Sequence, residues 1–240
     1  MRSLAGALAA AATATSLGLG AGPAAIATRL TIPRHARQLV VVSSPTATPP
    51  GPQHLVTLRA YARARRGWRL VMGPWSAETG SGHLVRASAR REGDGATPVG
   101  VFAFGQTIYG NRPDPGGLHY TYHHLVCGDW WDEDPQSTRY NHFVHVACGR
   151  RPGFARGSEA LWTETLAYPY FAVIDFNIRP VHGGAGAPGS GIFLHSWVDA
   201  ATRGCIALPP TRLLRVLRWL RPSRRPVIEI GTVAELAALR

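Results

Sequence analysis

A domain built mainly of β-strands with a few helices is what this chain predicts, and three observations carry that reading. Short runs rich in Val, Ile, Phe and Tyr recur along the sequence, each bounded by Gly or Pro turn signals. Strands do not alternate with long helical patterns, which excludes a parallel βαβ architecture. Helical periodicity is confined to a few segments, the clearest at 209–220.

From the start, Met1-Arg2-Ser3 leads into an Ala/Leu/Gly run ending in Ala25-Ile26-Ala27, a small-x-small pattern of the kind signal peptidase cuts. Residues 1–27 are therefore expected to be a secretory signal. A retained anchor is the competing reading, although the run is rich in Ala and Gly and weak for a spanning helix. Residues 28–52 carry Pro33, Pro45, Pro49, Pro50 and Pro52 among Ser, Thr and Ala, and read as an extended linker. The domain proper is then expected over 53–240.

Composition bounds its partners. The chain has 240 residues, 45% of them hydrophobic, enough for one large domain with a real core. Its net charge is +12, and every basic residue other than histidine is an arginine. A uniform absence of lysine reflects base composition as much as selection for charge, so nucleic acid is not expected as a partner. Such a surface suits anionic wall polymers or acidic glycans. No cofactor, no metal and no stable protein partner is expected.

Residues 54–64 and 68–72 partly alternate apolar and polar positions around a turn at Arg66-Gly67, which predicts a β-hairpin with its arginines mainly on the solvated side. The stretch 93–102 is a Gly/Pro turn followed by a strand. Residues 106–148 are dense in Tyr, Trp, His and Asp with Pro and Gly breaks, the composition of a flap or binding loop. The cysteines are Cys127, Cys148 and Cys205. In an exported protein an odd count suggests one disulfide and one free thiol, most economically Cys127 with Cys148. A metal site built from His123, His124, Cys127, His142, His145 and Cys148 is the alternative, but their spacing fits no established zinc pattern.

Ser158 is a plausible N-cap for a short helix over 158–166, and 170–178 reads as a buried strand. His182 opens a glycine-rich loop and is a candidate cleft residue. At 209–220, Leu213, Val216, Leu217 and Leu220 are spaced i, i+3, i+4, i+7 behind Pro209-Pro210, with Arg212, Arg215, Arg218 and Arg221 opposite. A strand is expected at 227–230, and Thr232 to Glu235, with capping-box spacing, begin a short terminal helix.

The chemistry is concentrated in 190–208. An apolar run, Ile192 to Leu194, delivers His195 and Ser196; after a short polar loop, Thr202-Arg203-Gly204-Cys205 leads into a second apolar run. Two strand ends would then hold an imidazole against a thiol, and a thiol attacks only as thiolate, so a neighbouring base activates it. Gly204 allows close backbone approach, and its N–H with that of Cys205 would serve a developing oxyanion. The bland alternative is a buried cysteine beside a core histidine.

The pattern resembles the L,D-transpeptidase catalytic-domain family, known as the YkuD fold: His195-Ser196 matches its first half, and Thr202, Gly204 and Cys205 its second. Arg203 stands where that family usually has a second histidine. Thr97-Pro98-Val99-Gly100-Val101-Phe102 matches another element typical of the family. The resemblance implies a β-sandwich-like domain, with Cys205 as nucleophile, His195 as base and Ser196 and Gly204 supporting them. Thr202, Arg203, Trp130, Trp131 and His182 would contact substrate, and 106–148 would be the lid. It implies a peptidoglycan stem peptide as substrate and a cross-link between third residues as product. A hydrolase of stem peptides and a non-catalytic wall-binding protein are the alternatives.

Overall fold

Residues 30–154 and 157–236 are described by the computed structural model of the chain. The signal segment expected at 1–27 lies outside them.

One strand sits where a linker was expected. β1 (Gln38–Ser44) runs parallel to β13 (Val227–Thr232) and antiparallel to β2 (Leu55–Ala64), and all seven of its residues are buried. This corrects the reading of 28–52. Leu39-Val40-Val41-Val42 is a continuous apolar run, the mark of a strand covered on both faces. Val40 and Val42 enter the main core, while Leu39 and Val41 enter a second cluster with Val227 and Leu236. The surrounding prolines mark turns at the strand's ends, so the folded domain begins well before Gln53.

β2 and β3 (Gly67–Glu78) form the expected hairpin, Ala64 opposite Gly67 across a two-residue loop. β5 (Thr97–Gly110) begins at the Thr-Pro element and pairs with β13, with the short β4 (Leu84–Arg86) and with β6 (Thr121–His124). β10 (Phe171–Ile174), β11 (Phe193–Ser196) and β12 (Ile206–Leu208) complete the main sheet. β10 pairs with both β11 and β5, so the sheet wraps round and two curved layers face one core. The fold is mainly β and sandwich-like. Against it packs α1 (Pro210–Trp219), which buries Leu213, Val216 and Leu217 as its period requires. Its basic side is only partly solvated: Arg212 and Arg215 lie over the Trp75 ring, and Arg218 donates to the Gly116 carbonyl.

The 106–148 segment divides. Its first residues finish β5. Further on, β7 (Asp129–Asp132) and β8 (His142–His145) form a hairpin, joined by β9 (Glu159–Ala160) in a small second sheet. A Cys127–Cys148 disulfide staples the hairpin's open end. His123 and His145 both bond the buried Asp129 carboxylate, at 2.8 and 2.7 Å, which occupies imidazoles that the metal alternative would have needed.

The helix expected over 158–166 is corrected to β9 and one 3-10 turn, Leu161–Thr163. The Ser158 hydroxyl caps no helix; it accepts the Glu133 amide at 3.0 Å, and the following residues pair with β7. Tertiary pairing overrode local capping preference. At the other end Glu235 accepts from the Thr232 amide and hydroxyl as a capping box does, but 233–235 form a turn and no helix among the described residues; 237–240 lie outside them.

Candidate active site

β11 and β12 are parallel neighbours, with Leu194 opposite Ile206 and His195 opposite Ala207. That register puts Cys205, one residue before β12, opposite Phe193, so His195 and Cys205 project on the same face. Backbone pairing alone sets the imidazole and the thiol on one face of the sheet, diagonally across neighbouring strands.

Cys205 is the only free cysteine among the described residues and is 7% exposed. Its thiol donates to the Gly191 carbonyl at 3.2 Å and accepts the Phe193 amide at 3.3 Å. Burial pushes its pKa well above the ordinary thiol range. The Glu159 and Glu133 carboxylates add to the rise; the Phe193 amide and the Arg90 guanidinium oppose it. His195 is 4% exposed, and burial lowers its pKa to about 4 against the carbonyls of Ser196 and Ala167. At neutral pH thiol and imidazole are both uncharged. His195 Nδ1 lies 2.8 Å from the Ser196 carbonyl, an atom that can only accept, so the proton is on Nδ1 and Nε2 carries the free lone pair. The edge of the imidazole meets the Tyr168 ring, centroids 5.4 Å apart.

The role expected of Ser196 therefore belongs to its main chain. Its hydroxyl is buried without a partner. Thr202 ties the loop that carries Cys205: its hydroxyl donates to the Cys205 carbonyl at 2.7 Å and accepts the Gly204 amide at 3.1 Å. That last bond corrects the reading of Gly204 as an oxyanion donor, because its N–H is already committed. What Gly204 supplies is space, since at φ +120° a Cβ there would lie 2.6 Å from the Ala96 carbonyl oxygen.

The two adjacent tryptophans part company, as alternation along a strand requires. Trp131 turns inward, edge-on to Phe193 at 5.0 Å, its indole donating to Asn141. Trp130 turns outward against Trp162 and Phe154, beside a groove of about 300 Å³ shared with Arg150 and Arg151. Trp130, expected to contact substrate, thus lies on the opposite face of the small sheet from Trp131. His182 is exposed on a loop that Asn177 holds by its backbone, and no hydrogen bond or ring contact among the described residues joins it to Cys205 or His195. Arg203 is exposed and its charge bears on Glu133 and Glu159.

Sequence reasoning missed those two carboxylates as site residues. Glu133 Oε1 lies 2.2 Å from where a Cβ on Gly191 would sit, next to the carbonyl that holds the thiol. Burial, reinforced by Glu159 and Glu92, raises it to about 9. Glu159 accepts the Tyr168 hydroxyl at 2.8 Å and is raised to about 7 by burial. Sequence reasoning gave Asn141 no role. It accepts from the Trp131 indole and the Gly191 amide and donates to the carbonyls of Phe176 and Asn177, stitching the small sheet to the strand that enters the site.

A family model of the L,D-transpeptidase catalytic domain matches residues 39–228. The chain belongs to this family. The match opens inside β1, in agreement with that strand's burial. His195, Thr202, Arg203, Gly204 and Cys205 all lie within the matched span. Among solved structures, the chain is similar to two of the helical cell shape determining protein Pgp2 from Campylobacter jejuni. Against a point mutant the identity is 16% and the TM-score 0.42, covering 86% of this chain and 50% of that one. Against Pgp2 itself the figures are 15% and 0.38, covering 87% and 52%. The chain spans about half the length of these structures. No curated protein matches it.

Proposed function

We propose that this L,D-transpeptidase-family chain is an exported peptidoglycan L,D-transpeptidase, joining stem peptides through a Cys205 thioester. The observation that carries this reading is the Nδ1 bond from His195 to the Ser196 carbonyl, which leaves an unprotonated ring nitrogen on the face that bears the only free thiol among the described residues.

With thiol and imidazole both neutral at rest, the proton moves as the bond forms. Nε2 takes the thiol proton while sulfur attacks the carbonyl of the stem's third residue. The imidazolium then gives that proton to the departing D-alanine amine, leaving a thioester. A neutral amine from a second stem attacks the thioester, and its proton passes to His195 and on to the sulfur as it leaves. A cross-link between third residues results. Anionic wall polymers would be held by the arginine-rich surface.

The test is intact mass spectrometry of the protein with a disaccharide tetrapeptide, wild type against Cys205→Ala. A dimer less one D-alanine, absent from the mutant, is expected. Loss of D-alanine without dimer makes the protein a hydrolase, and no Cys205-dependent change refutes the reading.

A further inference from the structure

One buried titratable group has no part in that chemistry. Glu78, the last residue of β3, is 0% exposed, and neither carboxylate oxygen makes a well-aligned hydrogen bond. No ion pair among the described residues includes a partner for it.

Its place in the sheet is specific. Glu78 lies opposite Ala207, and Ala207 lies opposite His195. The carboxylate therefore shares the face of His195 and Cys205, its backbone two strand spacings, roughly 10 Å, from that of His195. Beside it runs the 197–201 loop, which leaves β11 after Ser196 and returns to Thr202. The amides of Val198 and Ala200 and the Trp197 indole face the carboxylate, and Asp199 is the charged group acting on it. The residues after Glu78 grip the far end of the same loop: the Thr79 carbonyl accepts the Thr202 amide at 3.0 Å, and the Ser81 amide donates to the Thr202 carbonyl at 2.9 Å.

We propose that Glu78 is a positioning residue: its ionised carboxylate draws in the 197–201 loop and so sets the Ser196 carbonyl that orients His195. The link is short, because Trp197, whose indole faces Glu78, shares a peptide bond with that carbonyl. A carboxylate accepts several N–H groups at once and more strongly when charged. Protonation removes that charge and loosens the loop. Burial raises Glu78 to about 7, partly offset by the Val198 amide and reinforced by Asp199, so the grip changes around neutrality. The positioning role rests on the reading of Cys205 and His195 as the reacting pair; the grip on the loop does not.

Hydrogen exchange on the full chain separates the two. Corrected for intrinsic pH dependence, exchange at Val198 and Ala200 should slow about fivefold between pH 6 and pH 8, the equivalent of one hydrogen bond. Glu78→Gln should abolish that change, and Glu78→Asp, still ionisable, should keep its direction. In steady-state acyl transfer Glu78→Gln should lower kcat about fivefold at pH 8 with KM held, and flatten the limb near neutrality. Wild-type exchange that ignores pH would overturn the proposal without any mutant. So would a folded Glu78→Gln protein with the wild-type pH response, or a loop that responds while kcat does not. A responding loop with no Cys205-dependent chemistry at all would sink the proposed function and leave the grip standing.

Discussion

The β11–β12 pair and the small β7–β8–β9 sheet face the same thiol, yet they are built differently. In the first, position comes from backbone: parallel register sets His195 and Cys205 on one face, and a main-chain carbonyl orients the imidazole. In the second, position comes from side chains: a disulfide, a carboxylate between two histidines, and one asparagine with four hydrogen bonds. Backbone therefore places the imidazole and the thiol, and side chains set the electrostatic surroundings in which they sit. The difference predicts which substitutions silence the chemistry with the fold intact and which loosen the fold itself.

The largest effects belong to the reacting pair. Cys205→Ala should abolish acylation, and His195→Gln should slow it by about 10² to 10⁴-fold, both with near wild-type melting temperature. If either variant unfolds, backbone register is not what holds these strands. Next, Asn141→Ala leaves the Trp131 indole and the Gly191 amide without their acceptor. It should lower stability by about 3 kcal/mol in denaturant unfolding and slow acylation as well, because Gly191 holds the thiol. Reducing Cys127–Cys148, a separation of 21 residues, should lower stability by about 3 kcal/mol and show as faster exchange confined to β7 and β8. A matching rise in β11 would erase the distinction between the regions.

Acid should weaken both regions for opposite reasons. His195 has its pKa lowered to about 4 from 6.5 by burial, so its share of stability is full above pH 6.5 and lost as pH falls through 4, roughly 3 kcal/mol in all. Asp129 is held below its ordinary value because, against burial, the Val126 amide and the two histidines favour its charge. Its share is likewise present above the ordinary carboxylate range and lost on acidification. His195→Gln and Asp129→Asn should each remove one part of the acid limb in melting curves from pH 7 to 3. The smallest effect concerns reactivity. Glu159→Gln removes a charge that raises the Cys205 thiol, and should speed alkylation by iodoacetamide at pH 8 by about threefold. No change would mean that the small sheet shields the thiol sterically and leaves its electrostatics alone.

Elements with a clean period were legible in advance. The β2–β3 hairpin, the strand from Thr97, α1 and β13 all follow from apolar spacing and turn residues, as does the His195 and Cys205 pair from its flanking runs. β1 was misread because five prolines outweighed four consecutive apolar residues. The 158–166 helix was misread because its best capping signal, Ser158, serves the Glu133 amide instead. Trp130 and Trp131 looked equivalent until strand alternation gave them opposite faces.

What the chain determined by itself is local: the strand runs, the amphipathic helix, and a thiol and an imidazole on neighbouring apolar segments. What only the tertiary structure decided is every relation that crosses the fold. Glu133 and Glu159 reach the nucleophile because β7 and β9 pair with each other, and Glu78 shares the catalytic face because β3 pairs with β12. Spacing along a chain encodes periodicity and turns. It does not encode which distant strand will supply the missing hydrogen bonds, and that choice determines which charges are buried beside the sulfur.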